Sequence, residues 1–194
     1  MIIGICGGIG SGKSVVSRVL RLRGEAVYDC DLEAKRIMDS SRDVLEALNE
    51  RYGDIVCPAA GPICRPELAK RVFSCDNERL WLNSLVHRLV REDVKKWHET
   101  MTKEGHSRCF VESAILATSG LARMCSEIWI VDAYEEVRIA RIKLRDSIDE
   151  DAIRKRILSQ REEELLLKSS DTPISIIDNS GVIPLLTQID NYLL

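Results

Sequence analysis

Short apolar runs alternate with amphipathic stretches at both ends of the chain, whereas the middle carries helical periodicity alone. The first apolar run, Ile2–Cys6, predicts a buried strand, and apolar residues recur at helical spacing over Lys13–Leu22. Gly24 ends this helix, and Ala26–Tyr28 predicts a second strand. The chain therefore opens with a strand, a glycine loop, a helix and a strand, which is a βαβ unit of parallel strands.

The middle of the chain has the pattern of a separate helical block. From about residue 32 to residue 104 the apolar spacing is helical and strand patterns are lacking. The clearest helix is predicted over Asn77–Trp97, which has one apolar face and one charged face. Gly61-Pro62 marks a loop before this helix. We interpret the block as a subdomain inserted into a sheet domain.

Strands and helices alternate again after this block. The predicted strands are 109–112, 128–132 and 174–177, and the predicted helices are 134–145, 149–168 and 182–193. Five short strands separated by helices predict an α/β fold, with one parallel sheet and helices on both of its faces.

Composition and charge exclude several classes of protein. The chain has 194 residues, and 28 Lys and Arg against 31 Asp and Glu give a net charge of −3. This near-neutral balance argues against a broad nucleic-acid binder. The seven cysteines are odd in number and form no C-x-x-C pair, which favours free thiols over disulfides or a zinc site. With neither a signal peptide nor a long apolar run in the pattern, we expect a cytoplasmic protein without a membrane partner.

The glycine stretch after the first strand carries the clearest chemistry. It fits the pattern G-x-x-x-x-G-K-[ST] and reads Gly7, Gly8, Ile9, Gly10, Ser11, Gly12, Lys13, Ser14. In such a loop the backbone N–H groups and the start of the following helix bind nucleotide phosphates. Lys13 is predicted to reach the β- and γ-phosphates, and the Ser14 hydroxyl to ligate Mg²⁺. The sequence therefore predicts a site for ATP and Mg²⁺.

The surroundings of the loop narrow the class of nucleotide-binding protein. The sequence has no N-K-x-D string that would read guanine, and it is short for a motor or transporter ATPase. These observations favour a small-molecule or nucleotide kinase. A module that binds nucleotide without transferring phosphate is the alternative from another class.

Acidic residues at the ends of the predicted strands are candidates for proton transfer and metal binding. Asp29 and Asp31 follow the second strand and Glu112 ends the third, so all three are expected at the carboxyl edge of the sheet, where ligands bind. Asp31 is predicted to be a general base or to orient the substrate. Asp29 is predicted to be a further group that binds the substrate or Mg²⁺. Glu112 is predicted to hold a Mg²⁺-bound water. The alternatives are helix capping for the aspartates and a solvent-facing strand end for Glu112.

A basic segment late in the chain is predicted to cover the transferring phosphate. Arg141 and Arg145 lie four residues apart on a predicted helix and therefore share one face. Phosphoryl transfer needs cations around the migrating group, and a helical lid can supply them. The alternative is a solvated amphipathic face, because acidic residues flank the segment.

The order of these segments resembles the dephospho-coenzyme A kinase family over essentially the whole chain. The resemblance is carried by the phosphate loop and by Val27–Asp31 with Ala34, Leu82–His87, Arg141 with Arg145-Asp146, Arg156–Gln160 and Ile177–Gly181. It implies a three-layer P-loop NTPase core at about 1–31, 107–135 and 172–194. A helical coenzyme A-binding insert at about 32–106 and a helical lid at about 136–171 complete the implied architecture.

The same resemblance implies a specific reaction. ATP with Mg²⁺ would phosphorylate the ribose 3′-hydroxyl of dephospho-coenzyme A, the final step of coenzyme A synthesis. Asp31 matches the catalytic base, Lys13 and Arg141 would bear the charge of the phosphoryl group, and Arg145 would bind ATP. Arg65 and His87 would contact the acceptor. The implied partners are ATP and dephospho-coenzyme A, without nucleic acid, in a monomer or weak homo-oligomer.

Two positions depart from the family pattern. The family's His-Pro pair is His87-Arg88 here, and its P-L-L-x-E segment aligns with residues 114–118, which lack both the Pro and the Glu. Two alternatives follow: either Glu112, slightly upstream of that segment, acts in place of the absent Glu, or no residue does.

Overall fold

The structure is a computed structural model that describes residues 1–58, 61–146 and 148–194. Its strands are β1 (Ile2–Cys6), β2 (Ala26–Asp29), β3 (Cys109–Glu112), β4 (Glu127–Asp132) and β5 (Ile174–Asp178). Its α-helices are α1 (Lys13–Leu22), α2 (Cys30–Ser40), α3 (Arg42–Tyr52), α4 (Arg65–Ser74), α5 (Asp76–Lys103), α6 (Glu135–Asp146), α7 (Glu150–Leu158), α8 (Arg161–Lys168) and α9 (Leu185–Leu193). Gly53–Ile55 and Leu121–Met124 form 3₁₀ turns.

All five strands pair in parallel, in the order β2-β3-β1-β4-β5. The central strand β1 lies between β3 and β4, and each of its residues is buried. A strand buried on both faces and both edges needs a continuous apolar run, which is the pattern of Ile2–Cys6. The α/β fold and its five predicted strands are confirmed.

Helices cover both faces of the sheet. On one face, α1 and α9 pack on the strands through a shared core of Ile3, Ile5, Val16, Leu20, Phe110, Trp129, Val131, Ile177 and Ile189. On the other face, the Tyr28 ring lies 5.2 Å from the ring of Trp97 near the end of α5. None of the described helices is both long and apolar enough to cross a membrane.

The chain divides into two compact units. The first contains Met1–Asp29 and Trp97–Leu194 and includes the whole sheet, while the second contains Cys30–Lys96. The second unit packs α2 against α3 and buries Val44, Leu48 and Val56 completely. The predicted insert at 32–106 overlaps this unit, although residues 97–106 belong to the first. The lid at 136–171 stays a prediction.

The prediction of one helix over 149–168 is wrong, because the segment forms α7 and α8 with a break at residues 159–160. Ile153 and Ile157 are buried in α7, and Glu163 and Leu167 are buried in α8. Six residues separate Ile157 from Glu163, which is about 1.7 helical turns. A continuous helix would point one of these pairs away from the core, so the helix breaks.

Two helix boundaries also differ from the predictions by three residues or more. The last helix begins at Leu185 rather than residue 182, with Pro184 at its N-cap, since proline lacks the N–H group that a helix interior needs. Helix α5 continues to Lys103, past the predicted end at Trp97. Its last turns carry few apolar residues, but they contain no helix breaker before Gly105.

An ion pair stacked on aromatic rings ties α3 to α5 within the second unit. Arg51 Nε and Nη2 donate to the two carboxylate oxygens of Glu78 at 2.6 and 2.8 Å, and the Tyr52 hydroxyl also donates to Glu78. The Arg51 guanidinium lies 4.5 Å from the centre of the Trp81 ring. The hydrogen bonds from Arg51, followed by that from Tyr52, lower the pKa of Glu78 to about 2.

We expect Glu78→Gln to lower the melting temperature at pH 7. Because the pKa of Glu78 in the folded chain lies below its ordinary value of 4.5, ionised Glu78 stabilises the fold fully above pH 4.5. That contribution disappears as the pH falls through about 2, so the difference in melting temperature between variant and wild type should narrow between pH 4.5 and pH 2. Melting curves followed by circular dichroism between pH 7 and pH 2 measure it.

Glu46→Gln is the matched control for this prediction. Glu46 pairs with Arg42 one turn away on α3, at the exposed surface, and such pairs contribute little. Two results would contradict the stabilising role of ionised Glu78: an equal loss of melting temperature in both variants, or a melting-temperature difference between Glu78→Gln and wild type that does not change with pH.

Candidate active site

The glycine loop joins β1 to α1 and leaves the N-terminal turn of α1 open to an anion. Gly12 has φ of +98°, and a Cβ there would lie 2.1 Å from Asn179 Nδ2. Gly7 has φ of +149°, and its Cβ would lie 2.1 Å from the Val131 carbonyl oxygen. In the described chain no side chain caps α1, and its first turn has no acidic residue. This arrangement directs backbone N–H groups and the positive helix end at one point, as a phosphate site requires.

Lys13 and Ser14 lie side by side in the first turn of α1, as predicted. The Lys13 ammonium folds back over the loop and donates to the Gly7 carbonyl oxygen at 2.6 Å. Ser14 is exposed at the same helix end. A cation and a hydroxyl at a helix N-terminus can bind a phosphate oxygen and Mg²⁺ respectively.

The tip of the loop is held by residues from the region of the predicted lid. The Ile9 N–H donates to Gln160 Oε1 at 2.7 Å, and the Ile9 carbonyl accepts from Arg138 Nε at 2.9 Å. The Ile9 side chain packs against a cluster formed by Ile139, Ile142, Ile153 and Ile157. The backbone on both sides of the Ile9 Cα and the Ile9 side chain are therefore held by α6, α7 and the residue before α8.

Arg141 lies against the loop, where a phosphate-binding cation is predicted. Its Nη1 is 3.3 Å from the Gly10 carbonyl and 3.4 Å from that of Ser11, and its Nη2 donates to the Asn179 carbonyl at 2.8 Å. Asn179 Nδ2 in turn donates to the Ser11 carbonyl at 2.7 Å. Because the Gly10 and Ser11 carbonyls face Arg141 and Asn179, these two carbonyls are kept from turning towards an anion.

Arg145 has a different environment from Arg141. Its Nε and Nη2 donate to the carboxylate of the adjacent Asp146 at 2.6 and 2.8 Å. This hydrogen bonding lowers the pKa of Asp146 below its ordinary value. Among the described residues, Arg145 bonds to Asp146 and not to the glycine loop, so the two predicted arginines do not meet at the loop. Its predicted role in ATP binding stays a prediction.

Asp29 and Glu112 meet at the carboxyl edge of the sheet. Glu112 is in register with Asp29 of β2 on one side and with Ile5 of β1 on the other. The glycine loop leaves the same edge after Cys6. The predicted placement of these two carboxylates at the carboxyl edge of the sheet is therefore confirmed, with Glu112 on the strand next to β1 and Asp29 one strand further away.

Asp31 is the second residue of α2, in the first turn of that helix. The alternative in which Asp31 precedes a helix and caps it is wrong, because the helix already begins at Cys30. A carboxylate in the first turn is favoured by the helix dipole, which stabilises its charged form.

Asp31, Arg65 and His87 belong to the second unit. Arg65 is the first residue of α4, and its Nη2 donates to Asp39. His87 lies in α5 and is half-buried. Their roles towards the acceptor stay predictions.

The oxygen groups at the sheet edge fit Mg²⁺ rather than a transition metal. Ser14, Asp29 and Glu112 offer hydroxyl and carboxylate oxygens, which Mg²⁺ prefers. Residues 1–58, 61–146 and 148–194 contain no cluster of three or more His, Cys, Asp or Glu able to hold a metal by themselves. Mg²⁺ bound by few protein groups, with phosphate and water as its other ligands, agrees with both observations.

Four residues around the loop were not predicted as site residues: Arg138, Gln160, Glu163 and Asn179. Glu163 is 7% exposed. It accepts hydrogen bonds from the Ala117 and Thr118 N–H groups, at 2.5 and 2.9 Å, and from Thr118 Oγ1 at 2.8 Å. One sequence signal could have found it, since Glu163 lies one turn before the buried Leu167 and so places a carboxylate on the apolar face of α8.

A cavity of about 260 Å³ lies beside the loop within the first unit. Gly7 and Gly8 form part of its wall, together with Arg138, Gln160 and Glu163. The start of the phosphate loop and the helices of the predicted lid therefore line one cavity.

Comparisons with known proteins identify the family. A family model described as dephospho-CoA kinase matches residues 1–184. A dephospho-CoA kinase of Porphyromonas gingivalis is 39% identical over 167 residues, 86% of this chain and 81% of its relative. The dephospho-CoA kinase of Corynebacterium efficiens is 32% identical over 179 residues, 92% and 88% of the two chains. The crystal structure of TT1252 from Thermus thermophilus covers 100% of this chain and 94% of its own, with a TM-score of 0.74 and 28% identity. This chain belongs to the dephospho-coenzyme A kinase family.

Proposed function

We propose that this chain transfers the γ-phosphoryl group of ATP·Mg²⁺ to the ribose 3′-hydroxyl of dephospho-coenzyme A, giving coenzyme A and ADP. The family to which it belongs catalyses the final step of coenzyme A synthesis. The observation that carries the proposal is the open N-terminus of α1, with Lys13 folded over a glycine loop. The Gly10 and Ser11 carbonyls of that loop are turned towards Arg141 and Asn179. The compartment and assembly state stay predictions, namely the cytoplasm and a monomer or weak homo-oligomer.

The donor side of the proposal uses groups of the first unit. The N–H groups of the loop and of the first turn of α1 hold the phosphates, and Lys13 bridges the β- and γ-phosphates. Mg²⁺, when bound by Ser14 and through water by Glu112, supplies positive charge to the phosphate oxygens. Arg141 places a guanidinium beside Gly10 and Ser11, where it can offset charge on the transferring group.

The acceptor side of the proposal assigns proton transfer to Asp31. The 3′-oxygen of the ribose forms a bond to the γ-phosphorus, while the bond from that phosphorus to the β–γ bridging oxygen breaks. The hydroxyl proton passes to the Asp31 carboxylate, and ADP leaves with the bridging oxygen. Asp29, Arg65 and His87 are proposed to bind dephospho-coenzyme A. Most of the rate enhancement is expected from positioning and electrostatics.

A coupled assay of ADP release tests the function. ATP·Mg²⁺ is offered with dephospho-coenzyme A, adenosine, AMP or gluconate, and the position of the new phosphate is determined by NMR. We expect turnover with dephospho-coenzyme A alone and a product phosphorylated at the 3′ position. Turnover with another acceptor would point to a different small-molecule kinase. If no acceptor is phosphorylated while ATP still binds, the chain is a nucleotide-binding module and the proposal is wrong.

A further inference from the structure

We propose that Gln160 and Glu163 form a latch that holds the start of α8 to two loops of the core, and that both are positioning residues for phosphoryl transfer. Gln160 holds the phosphate loop at Ile9, and Glu163 holds the loop of residues 113–120 that follows β3. The two residues lie three positions apart at the beginning of one helix. They therefore connect both loops through a single rigid element.

The Gln160 contact fixes the direction of one peptide group in the phosphate loop. Its side-chain oxygen accepts from the Ile9 N–H at 2.7 Å, while Arg138 donates to the Ile9 carbonyl at 2.9 Å. The bond to Gln160 holds the Gly8–Ile9 peptide group, whose carbonyl also accepts from Ser11 N at 3.1 Å. The bond from Arg138 holds the next peptide group, Ile9–Gly10, so both planar groups are fixed in direction. The N–H groups after Ile9 are thus set before a nucleotide binds, which lowers the entropy cost of binding.

The Glu163 contact is stronger than an ordinary surface hydrogen bond. A carboxylate that is 7% exposed is stable only if charged donors or several hydrogen bonds compensate for its lost hydration. Glu163 receives three such bonds, all from Ala117 and Thr118. Opening α8 would leave these donors unpaired and return the carboxylate to water, so the closed arrangement resists release.

The position of Glu163 gives its contact a consequence for the site. The loop that it holds begins at Ser113, directly after Glu112 at the carboxyl edge of the sheet. Ser113 N in turn donates to the Ile5 carbonyl at 3.0 Å. Burial, and secondarily the nearby charge of Glu163, raises the pKa of Cys6, which is the last residue before the phosphate loop. Glu163 therefore lies close to both strand ends that lead into the site.

Gln160 and Glu163 also line the same cavity of about 260 Å³, together with Gly7 and Gly8. A latch in this wall determines how the space beside the phosphate loop is closed. Releasing either contact would let α8 move away and admit water beside the transferring group, which weakens every electrostatic contact there.

The test measures steady-state kinetics of the full chain with ATP and dephospho-coenzyme A, well below the melting temperature of each variant. We expect Glu163→Gln and Gln160→Ala each to lower kcat/KM for ATP by about 10- to 100-fold. The kcat/KM of the double variant should be no more than about twofold below that of the less active single variant, because one broken contact already releases the latch. Glu162→Gln, an exposed neighbour on α8, is the matched control and should stay within about twofold of wild type.

A second readout separates positioning from general destabilisation. Amide hydrogen exchange should become faster at Ile9, Ala117 and Thr118 in both latch variants, without faster exchange in the core strand β1. Thr118→Val should reproduce part of the loss of kcat/KM for ATP, and Thr118→Ser, which keeps the hydroxyl, should restore it.

The latch rests on the proposed function, but the two can fail separately. If wild type does not phosphorylate dephospho-coenzyme A, the function is wrong, while exchange at Ile9 and Thr118 and direct ATP binding still test the latch. The latch is refuted if Glu163→Gln retains kcat/KM within about twofold of wild type, or if the losses of the two single variants multiply in the double variant. The latch is also refuted if the amide hydrogen of Ile9 exchanges no faster in Glu163→Gln than in wild type.

Discussion

Replacing Asp31 with Asn is expected to lower kcat by about 10²- to 10⁴-fold while the Kd for ATP stays within about twofold of wild type. Asn keeps the size and hydrogen-bonding ability of the side chain but cannot accept the proton of the 3′-hydroxyl. The loss should therefore fall on the chemical step and leave the donor site intact. Single-turnover measurements with ATP in excess give the rate of transfer, and equilibrium titration gives the Kd.

The position of Asp31 in a first helical turn requires a control for helix stability. Loss of its charge removes a favourable interaction with the dipole of α2, which is worth roughly 0.3–1 kcal/mol at a surface site. Asp43 occupies the first turn of α3 in the same unit and is exposed. Asp43→Asn should lower the melting temperature by about as much as Asp31→Asn does, without changing kcat.

Two results would contradict the base assignment. Transfer by Asp31→Asn at more than about one tenth of the wild-type rate would show that another group accepts the proton. A rise in the Kd for ATP comparable with the fall in kcat would show that Asp31 acts in donor binding instead. In the second case, Asp29 at the end of β2 becomes the candidate base, because it shares the sheet edge with Glu112.

The segments that the sequence predicted best are those whose structure is decided locally. Strand β1 and helix α1 were predicted with the boundaries that the structure has, because an apolar run and a regular helical spacing are separated there by the glycine loop. Glu112 and Asp29 were placed at the correct edge, since parallel strands bring their carboxyl ends together. In each case the structure could be predicted either from residues close in sequence or from a rule of sheet topology.

The residues that sequence reasoning missed are those whose partners are distant along the chain. Gln160 bonds to Ile9, and Asn179 bonds to Ser11, across more than a hundred residues of chain. No local pattern specifies these contacts, which depend on how α6, α7 and β5 pack around the loop. The resemblance contained both residues within matching segments, but a matching segment does not say which of its side chains faces the loop.

Charge pairing explains why two equivalent-looking arginines differ. Arg141 and Arg145 share a predicted helix face, and spacing alone gave them one role. In the structure, Arg141 reaches the loop carbonyls, whereas Arg145 at the end of α6 binds its neighbour Asp146. Asp146 also lies 3.7 Å from Arg156 of α7, which draws this end of α6 towards the helix that follows. The negative charge of Asp146 next to Arg145, rather than helical periodicity, explains why the two arginines have different partners.

Lys13→Met is expected to lower kcat/KM for ATP by about 10²- to 10³-fold. The Lys13 ammonium is already over the loop, 2.6 Å from the Gly7 carbonyl, so it is positioned to meet the phosphates without reorganisation. Met preserves the length and apolar stem of the side chain but has neither the charge nor the donor. Because the charge of the γ-phosphoryl oxygens changes during transfer, kcat should fall as well as ATP affinity. Steady-state kinetics with varied ATP separate the two parameters.

Arg18→Met is the matched control, since it removes an exposed cation from the same helix and should leave kcat/KM within about twofold of wild type. Lys13→Met also removes the bond to Gly7, whose net contribution to stability is about 1 kcal/mol, equivalent to a factor of about five in an equilibrium. A loss of a hundredfold or more therefore cannot come from this bond and must come from contacts with the nucleotide. If the loss stays near fivefold, Lys13 serves to hold the loop, and the charge that drives transfer must come from Arg141 and Mg²⁺.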